Sequence, residues 1–119
     1  MGDVGRFFNR AEFACKCGCG FDDISPELVA LLDQIRAHFD RPMTITSGCR
    51  CPQHNRQVGG AEHSQHLVGK AADVQMYHLI PPLVAEAAAL YGANGIKVYS
   101  GWTHIDVRDG RSWHVGVPD

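Results

Sequence analysis

The stretch Ser64 to Asp73, SQHLVGKAAD, sets a histidine and an aspartate seven residues apart, with Gly69, Ala71 and Ala72 between them. Neutral imidazole and carboxylate are donors that suit a catalytic zinc, which takes three protein ligands and keeps one position open for water. His66 and Asp73 supply two such donors. Gly69 permits a turn or close backbone approach, and the two alanines occupy little volume, so both ligands can be aimed at one point. A third ligand must come from elsewhere, and His104 in WTHIDVR is best placed. Strand alternation puts His104 and Asp106 on one face, so one can bind metal while the other orients a ligand or handles a proton.

Regular elements must hold these groups. Ser25-Pro26-Glu27 reads as an N-cap followed by proline at the first helical position. Leu28, Leu31, Leu32, Ile35 and Phe39 then fall on one face of a helix, which "DRP" ends before Pro42. MTITSG (Met43 to Gly48) alternates and is rich in β-branched residues, so it reads as a strand. The segment CPQHNRQVGGAEHSQHLVGK reads as loop, punctuated by Gly59-Gly60. AADVQM is a second strand, with Asp73 at its start. A helix is expected from about Pro81 to Tyr91, on the signals of Pro82 and the alanine run. IKVYS and THIDVR are further strands, and Asp109-Gly110 reads as a hairpin turn into RSWHV. The expected fold is α+β, a small antiparallel sheet with helices packed against it.

A length of 119 residues with no linker or repeat is read as one domain, residues 1–119. With 45% apolar and 20% charged residues the chain has a globular rather than a disordered balance. A net charge of -2 gives no electrostatic footprint for nucleic acid, and no apolar run is long enough to cross a bilayer. The opening MGDVGRFFNR lacks the apolar core of a secretory signal, so another route to the outside of the cell is expected.

Five cysteines fall in CKCGCG (Cys15, Cys17, Cys19) and GCRCP (Cys49, Cys51). An odd number leaves at least one unpaired if the others form disulfides. Structural zinc sites usually space their cysteines as Cys-x2-Cys or wider, so the spacing favours disulfides or free thiols over a second metal. Either way they are expected to staple the N-terminal segment to the loop after the first strand.

Ser64-x-His66-x2-Gly69-x-Ala71-x-Asp73 resembles the first signature of the peptidase M15 group, the zinc peptidases related to D-alanyl-D-alanine carboxypeptidases. These share a fold with the vancomycin-resistance D,D-dipeptidases and the hedgehog signalling domain. TITSGCRCPQHNRQVGG and THIDVR look like the short subgroup found in murein endopeptidases, phage lysins and tail proteins. The resemblance runs from CKCGCGFDDISPEL to RSW. It implies that His66, Asp73 and His104 bind one catalytic Zn2+, and that Arg50 meets the substrate and steadies charge on the attacked carbonyl oxygen. A guanidinium suits that task as a permanently charged donor. Ser64 and His63 would contact substrate beside His66.

Many members of the group carry Glu or Asp three residues before the last histidine ligand, as general base. Here that position is Gly101, so Asp106 is the first choice for the base, with His63 or Glu62 behind it. Any of these side chains alone would more often be a solvated surface group; their coincidence with the Ser, Gly and Ala positions of the signature argues for a metal site. Trp102 and Trp113 suit either the cleft wall or the core, His114 is expected to be exposed, and Asp109 reads as a turn residue. The resemblance implies a zinc metallopeptidase acting on peptidoglycan stem peptides or cross-links; a monomer is expected, and charge and apolar-run length give the expectation of no nucleic-acid or membrane partner. Action on the cell wall is expected, in a setting such as a phage lysin or a virion. The alternative is a zinc-containing cell-wall or protein binding module of the same fold that has lost catalysis.

Overall fold

The computed structural model describes residues 2–118. Helix α1 (Pro26–Phe39) begins where Ser25 Oγ accepts the Leu28 N–H at 3.3 Å, with Pro26 in the first turn. It ends at Asp40, whose left-handed backbone (φ 52°) closes the last turn ahead of Pro42. Strand β1 (Met43–Ser47) follows, alternating buried and exposed residues over its first four positions. Next come α2 (Pro52–Gln57), β2 (Ala71–Met76), α3 (Pro81–Leu90), β3 (Gly95–Val98), β4 (Thr103–Asp106) and β5 (Trp113–Val115). A 3-10 turn, Gln65–Val68, leads into β2.

The strands form one sheet in the order β1-β2-β4-β3-β5. The first three pairings are antiparallel, as expected, but β5 runs parallel to β3, so the sheet is mixed. The hairpin expected at Asp109-Gly110 does not form for a simple reason. Strand β4 is already bonded on both edges, by β2 and β3, and offers no edge to the chain that follows. Residues 107–112 instead carry the chain to the free edge of β3. Asn94 steers that crossing: its side-chain amide donates to the carbonyls of Arg108 and Gly110, and its own carbonyl accepts the Trp113 N–H at 2.7 Å.

The segment after Cys51, read from sequence as loop, contains α2. Pro52 occupies its first turn and Cys51 caps it, the sulfur accepting the His54 N–H at 3.4 Å. Gly59-Gly60 lies just beyond the helix rather than within an extended loop.

Helix α3 lies against β2, β3 and β4, and α1 packs on α3. Leu28, Leu32 and Ile35 of α1, Val84 and Ala88 of α3, and Val74, Ile96 and Ile105 of the sheet share one buried cluster with Phe8 and Phe13. The alanines of α3 let the helix approach the sheet closely, which leaves little room for larger side chains there. Cys15, Cys17 and Cys19 come together with Cys51, all four as free thiols, where the N-terminal segment meets the residues after β1. Among the described residues no helix is long and apolar enough to cross a membrane.

Candidate metal centre

Strands β2 and β4 pair in a register that sets Asp73 directly opposite His104. Opposite residues of an antiparallel pair share a face and stand close enough for their side chains to meet. His104 Nδ1 lies 3.1 Å from Asp73 Oδ1. His66 reaches the same oxygen from the 3-10 turn, with Nε2 at 3.3 Å. That turn is closed by Gly69 at φ 70°, where a Cβ would also collide with the Asp23 carbonyl. Ala71 and Ala72 are wholly buried, the compact filler that the ligand spacing required.

Donor atoms of the three residues all lie within 4.8 Å of one another. Ligands at ~2.1 Å from a tetrahedral zinc stand ~3.4 Å apart, so the observed 3.1 and 3.3 Å separations fit that ion. Each imidazole is oriented through its other nitrogen. His66 Nδ1 is 2.6 Å from the Gly48 carbonyl oxygen, and His104 Nε2 is 2.8 Å from Asp106 Oδ2. With both N–H groups donated to those oxygens, His66 offers Nε2 and His104 offers Nδ1 to a metal.

Without a metal between them, burial opposes charge on Asp73, but its contacts with His104 and His66 outweigh burial and hold its carboxyl well below the usual carboxylate range. Asp106 follows the same pattern: burial raises it, and bonds to His104 and Arg108 bring it well below. For His104, desolvation favours the neutral ring, yet Asp106 and Asp73 together raise its pKa above the ordinary value.

Arg50 lies in the segment between β1 and α2. Its Nε donates to Ser47 Oγ at 3.0 Å, one terminal nitrogen to Asn55 Oδ1 at 3.3 Å, and the other to Asp73 Oδ2 at 3.2 Å. It therefore spans the ligand carboxylate and the cleft wall. The cleft has a volume of about 400 Å3 and is lined by all three ligand residues, by Arg50, His63 and Ser64, and by Tyr99, Arg108 and Trp113. Ser64 Oγ also accepts the His66 N–H at 3.2 Å, fixing the turn.

Asp106 is placed differently from a group that takes a proton from the cleft. Its side chain is 0% exposed, and it accepts the backbone N–H and two guanidinium N–H groups of Arg108 besides His104. Gly101 lines a separate hollow with Gln75, Trp102 and Thr103, and its carbonyl accepts from Gln75 Nε2 at 2.9 Å. Glu62 is exposed and is not among the residues lining the cleft. Trp113 walls the cleft, with the Arg108 guanidinium 4.6 Å over its ring, whereas Trp102 stacks on Tyr99. His114 is exposed, its Nε2 3.0 Å from the Ala93 carbonyl oxygen. Tyr99 and Arg108 went unnoticed in the sequence. Arg108 continues the alternation His104, Asp106, Arg108, and that period was the available signal. A second hollow of about 360 Å3, beside His38 and Leu90, carries no comparable donor set.

The α+β fold thus sets Asp73 and His104 on adjacent central strands of a mixed five-stranded sheet and His66 on the turn before β2, a donor group that could hold a metal ion. A family model described as Peptidase M15 matches residues 6–106, and the chain belongs to that family. It is similar to the zinc D-Ala-D-Ala carboxypeptidase of Streptomyces albus G, at 34% identity over 79 residues. The match covers 62% of this chain and 31% of that enzyme, so the chain spans about a third of the length of the curated relative.

Proposed function

We propose that the protein is a zinc-dependent peptidase that hydrolyses peptide bonds in peptidoglycan stem peptides or their cross-links. One observation carries the reading: the cross-strand pair Asp73–His104 meets His66 in a cleft of about 400 Å3, the size that takes a short peptide. The similarity to a zinc D-Ala-D-Ala carboxypeptidase supports the choice of metal and of substrate class.

His66, Asp73 and His104 would hold the ion, which would supply Lewis acidity toward a carbonyl and acidify water. The Gly48 carbonyl and Asp106 fix the two imidazoles in the tautomers that leave the ligand nitrogens free. Arg50, braced by Ser47, Asn55 and Asp73, sets a permanent positive charge where the tetrahedral oxyanion develops. Because Asp106 is engaged by Arg108 and His104, we assign it to positioning His104. Proton transfer falls to His63, an exposed cleft residue with no side-chain hydrogen bond among the described residues. Ser64 and Trp113 bound the path of the substrate.

The test is incubation of the purified protein with peptidoglycan, with and without a chelator, and identification of released fragments by mass. Release of stem-peptide fragments by the zinc form alone supports the reading, and the fragment masses name the bond. A second reading, a zinc-bearing binding module without catalysis, is favoured by the cleft lining, whose single carboxylate is the ligand Asp73. Retention on peptidoglycan with no fragment released, with or without zinc, would establish it. A phage lysin or virion setting is proposed from the short-subgroup resemblance of THIDVR and TITSGCRCPQHNRQVGG. The position of the encoding frame among phage lysis or structural genes checks it.

A further inference from the structure

Outside the cleft, the chain gathers a second set of soft donors. Cys15, Cys17 and Cys19 come from the N-terminal segment and Cys51 from the start of α2, and their four sulfurs lie within 4.8 Å of one another. Cys15 Sγ is 3.4 Å from Cys17 Sγ, and Cys17 Sγ is 3.6 Å from Cys51 Sγ. No pair is bonded, since a disulfide brings its sulfurs to ~2.05 Å. The separations match a different geometry. Four thiolates at ~2.3 Å from a tetrahedral zinc stand ~3.8 Å apart.

Backbone groups complete the arrangement. The Cys51 N–H points at Cys15 Sγ and the His54 N–H at Cys51 Sγ, both at 3.4 Å, so amides already serve two sulfurs as acceptors. Gly18 and Gly20 adopt positive φ (82° and 93°), which curls CKCGCG so that alternate residues face one point rather than opposite sides of a strand. Cys49, the fifth cysteine, is buried in the apolar core and takes no part. The odd count thus divides into four converging donors and one core residue.

We infer that Cys15, Cys17, Cys19 and Cys51 form a tetrathiolate site for a structural zinc ion, separate from the His66–Asp73–His104 group. Binding converts four thiols to thiolates, releases their four protons to solvent, and leaves a four-coordinate complex of net charge -2 with no open position. Such a closed site does no hydrolysis. Its role follows from what it grips: Cys51 adjoins Arg50, and the same segment supplies the Gly48 carbonyl that orients His66. The ion would fasten to the N-terminal segment the stretch of chain that shapes one wall of the cleft. The inference stands whether or not the cleft is hydrolytic.

Zinc content decides it. The full chain, expressed with zinc and purified under reducing conditions without chelator, is compared with His66→Ala and Cys17→Ser by elemental analysis. Two zinc ions per chain are expected in the unaltered protein and one in each variant. Replacing zinc by cobalt in His66→Ala should give the intense near-ultraviolet thiolate-to-cobalt absorption of a sulfur-rich tetrahedral site. That spectrum needs no cysteine variant, so it decides the matter even if Cys17→Ser does not fold. A zinc-free His66→Ala that is folded, or a disulfide among these four cysteines in the reduced preparation, would overturn the inference.

Discussion

The roles proposed for Asp106 and His63 depart from the first choice that sequence position suggests, and their surroundings are the reason. Asp106 is fully buried, and one guanidinium holds both its oxygens, so a proton on it would break bonds to Arg108 and His104 together. His63 faces the cleft unencumbered. Two variants separate the roles. Asp106→Asn should weaken zinc binding about 10- to 100-fold, read by competition with a chromophoric chelator, because His104 loses its charged anchor. His63→Ala should keep its zinc and lose about 10^2- to 10^4-fold in kcat on a peptidoglycan peptide, with one limb of the pH–rate profile gone. Loss of zinc from His63→Ala, or undiminished kcat, would return the proton-transfer role to another group.

Between residue and molecule stands the pairing of β2 with β4, which no local signal specifies. Asp106 sits opposite Ala71 on one side and Gly95 on the other, so its carboxylate occupies space left by the two smallest side chains available. A Cβ at Gly95 would collide with that carboxylate. Gly95→Ala should therefore cost about 1–3 kcal/mol in urea unfolding and also weaken zinc binding, since Asp106 must shift. Ser25→Ala makes the useful contrast. It removes the α1 cap at a cost of about 1 kcal/mol and leaves zinc affinity unchanged, because the bond joining that end of the helix to the His66 turn, from the Ser25 N–H to the Gly69 carbonyl at 2.8 Å, is a backbone bond that alanine keeps. Equal effects of the two variants on zinc would refute the special place given to Gly95.

For the whole molecule, the triad and Asp106 together gather two carboxylates and two imidazoles at the middle of the sheet and the turn beside it, and both metal and pH act through them. Free zinc at about 1,000 times its Kd should stabilise the fold by ~4 kcal/mol, a rise in Tm on the order of 10 °C by calorimetry. In the chelated protein, Asp73 and Asp106 ionise more readily folded than unfolded. The stability they contribute is complete well above the unfolded carboxylate pKa of ~3.9 and is lost as pH falls below it toward their folded values. Urea midpoints of the metal-free protein should drop steeply below about pH 4, and less steeply in Asp106→Asn. His104 has the opposite sign. Its raised pKa stabilises the metal-free fold at acid pH and loses that effect as pH climbs past the folded value.

Local chemistry was legible in the sequence wherever the cause was local. Ser25 and Pro26 start α1, the β-branched run makes β1, and the filler between His66 and Asp73 announces a tight approach of two donors. Each depends on a few neighbouring residues, so a linear reading finds it. The parallel docking of β5, the burial of Asp106 under Arg108, and the meeting of Cys51 with CKCGCG were decided only in three dimensions. Strand β4 had no edge to spare, Asp106 met a guanidinium before it could meet solvent, and cysteines 34 residues apart were brought together by the path of the chain around β1. Local spacing states which groups a chain owns; which of them share a face, a partner or an ion depends on long-range pairing that spacing does not encode.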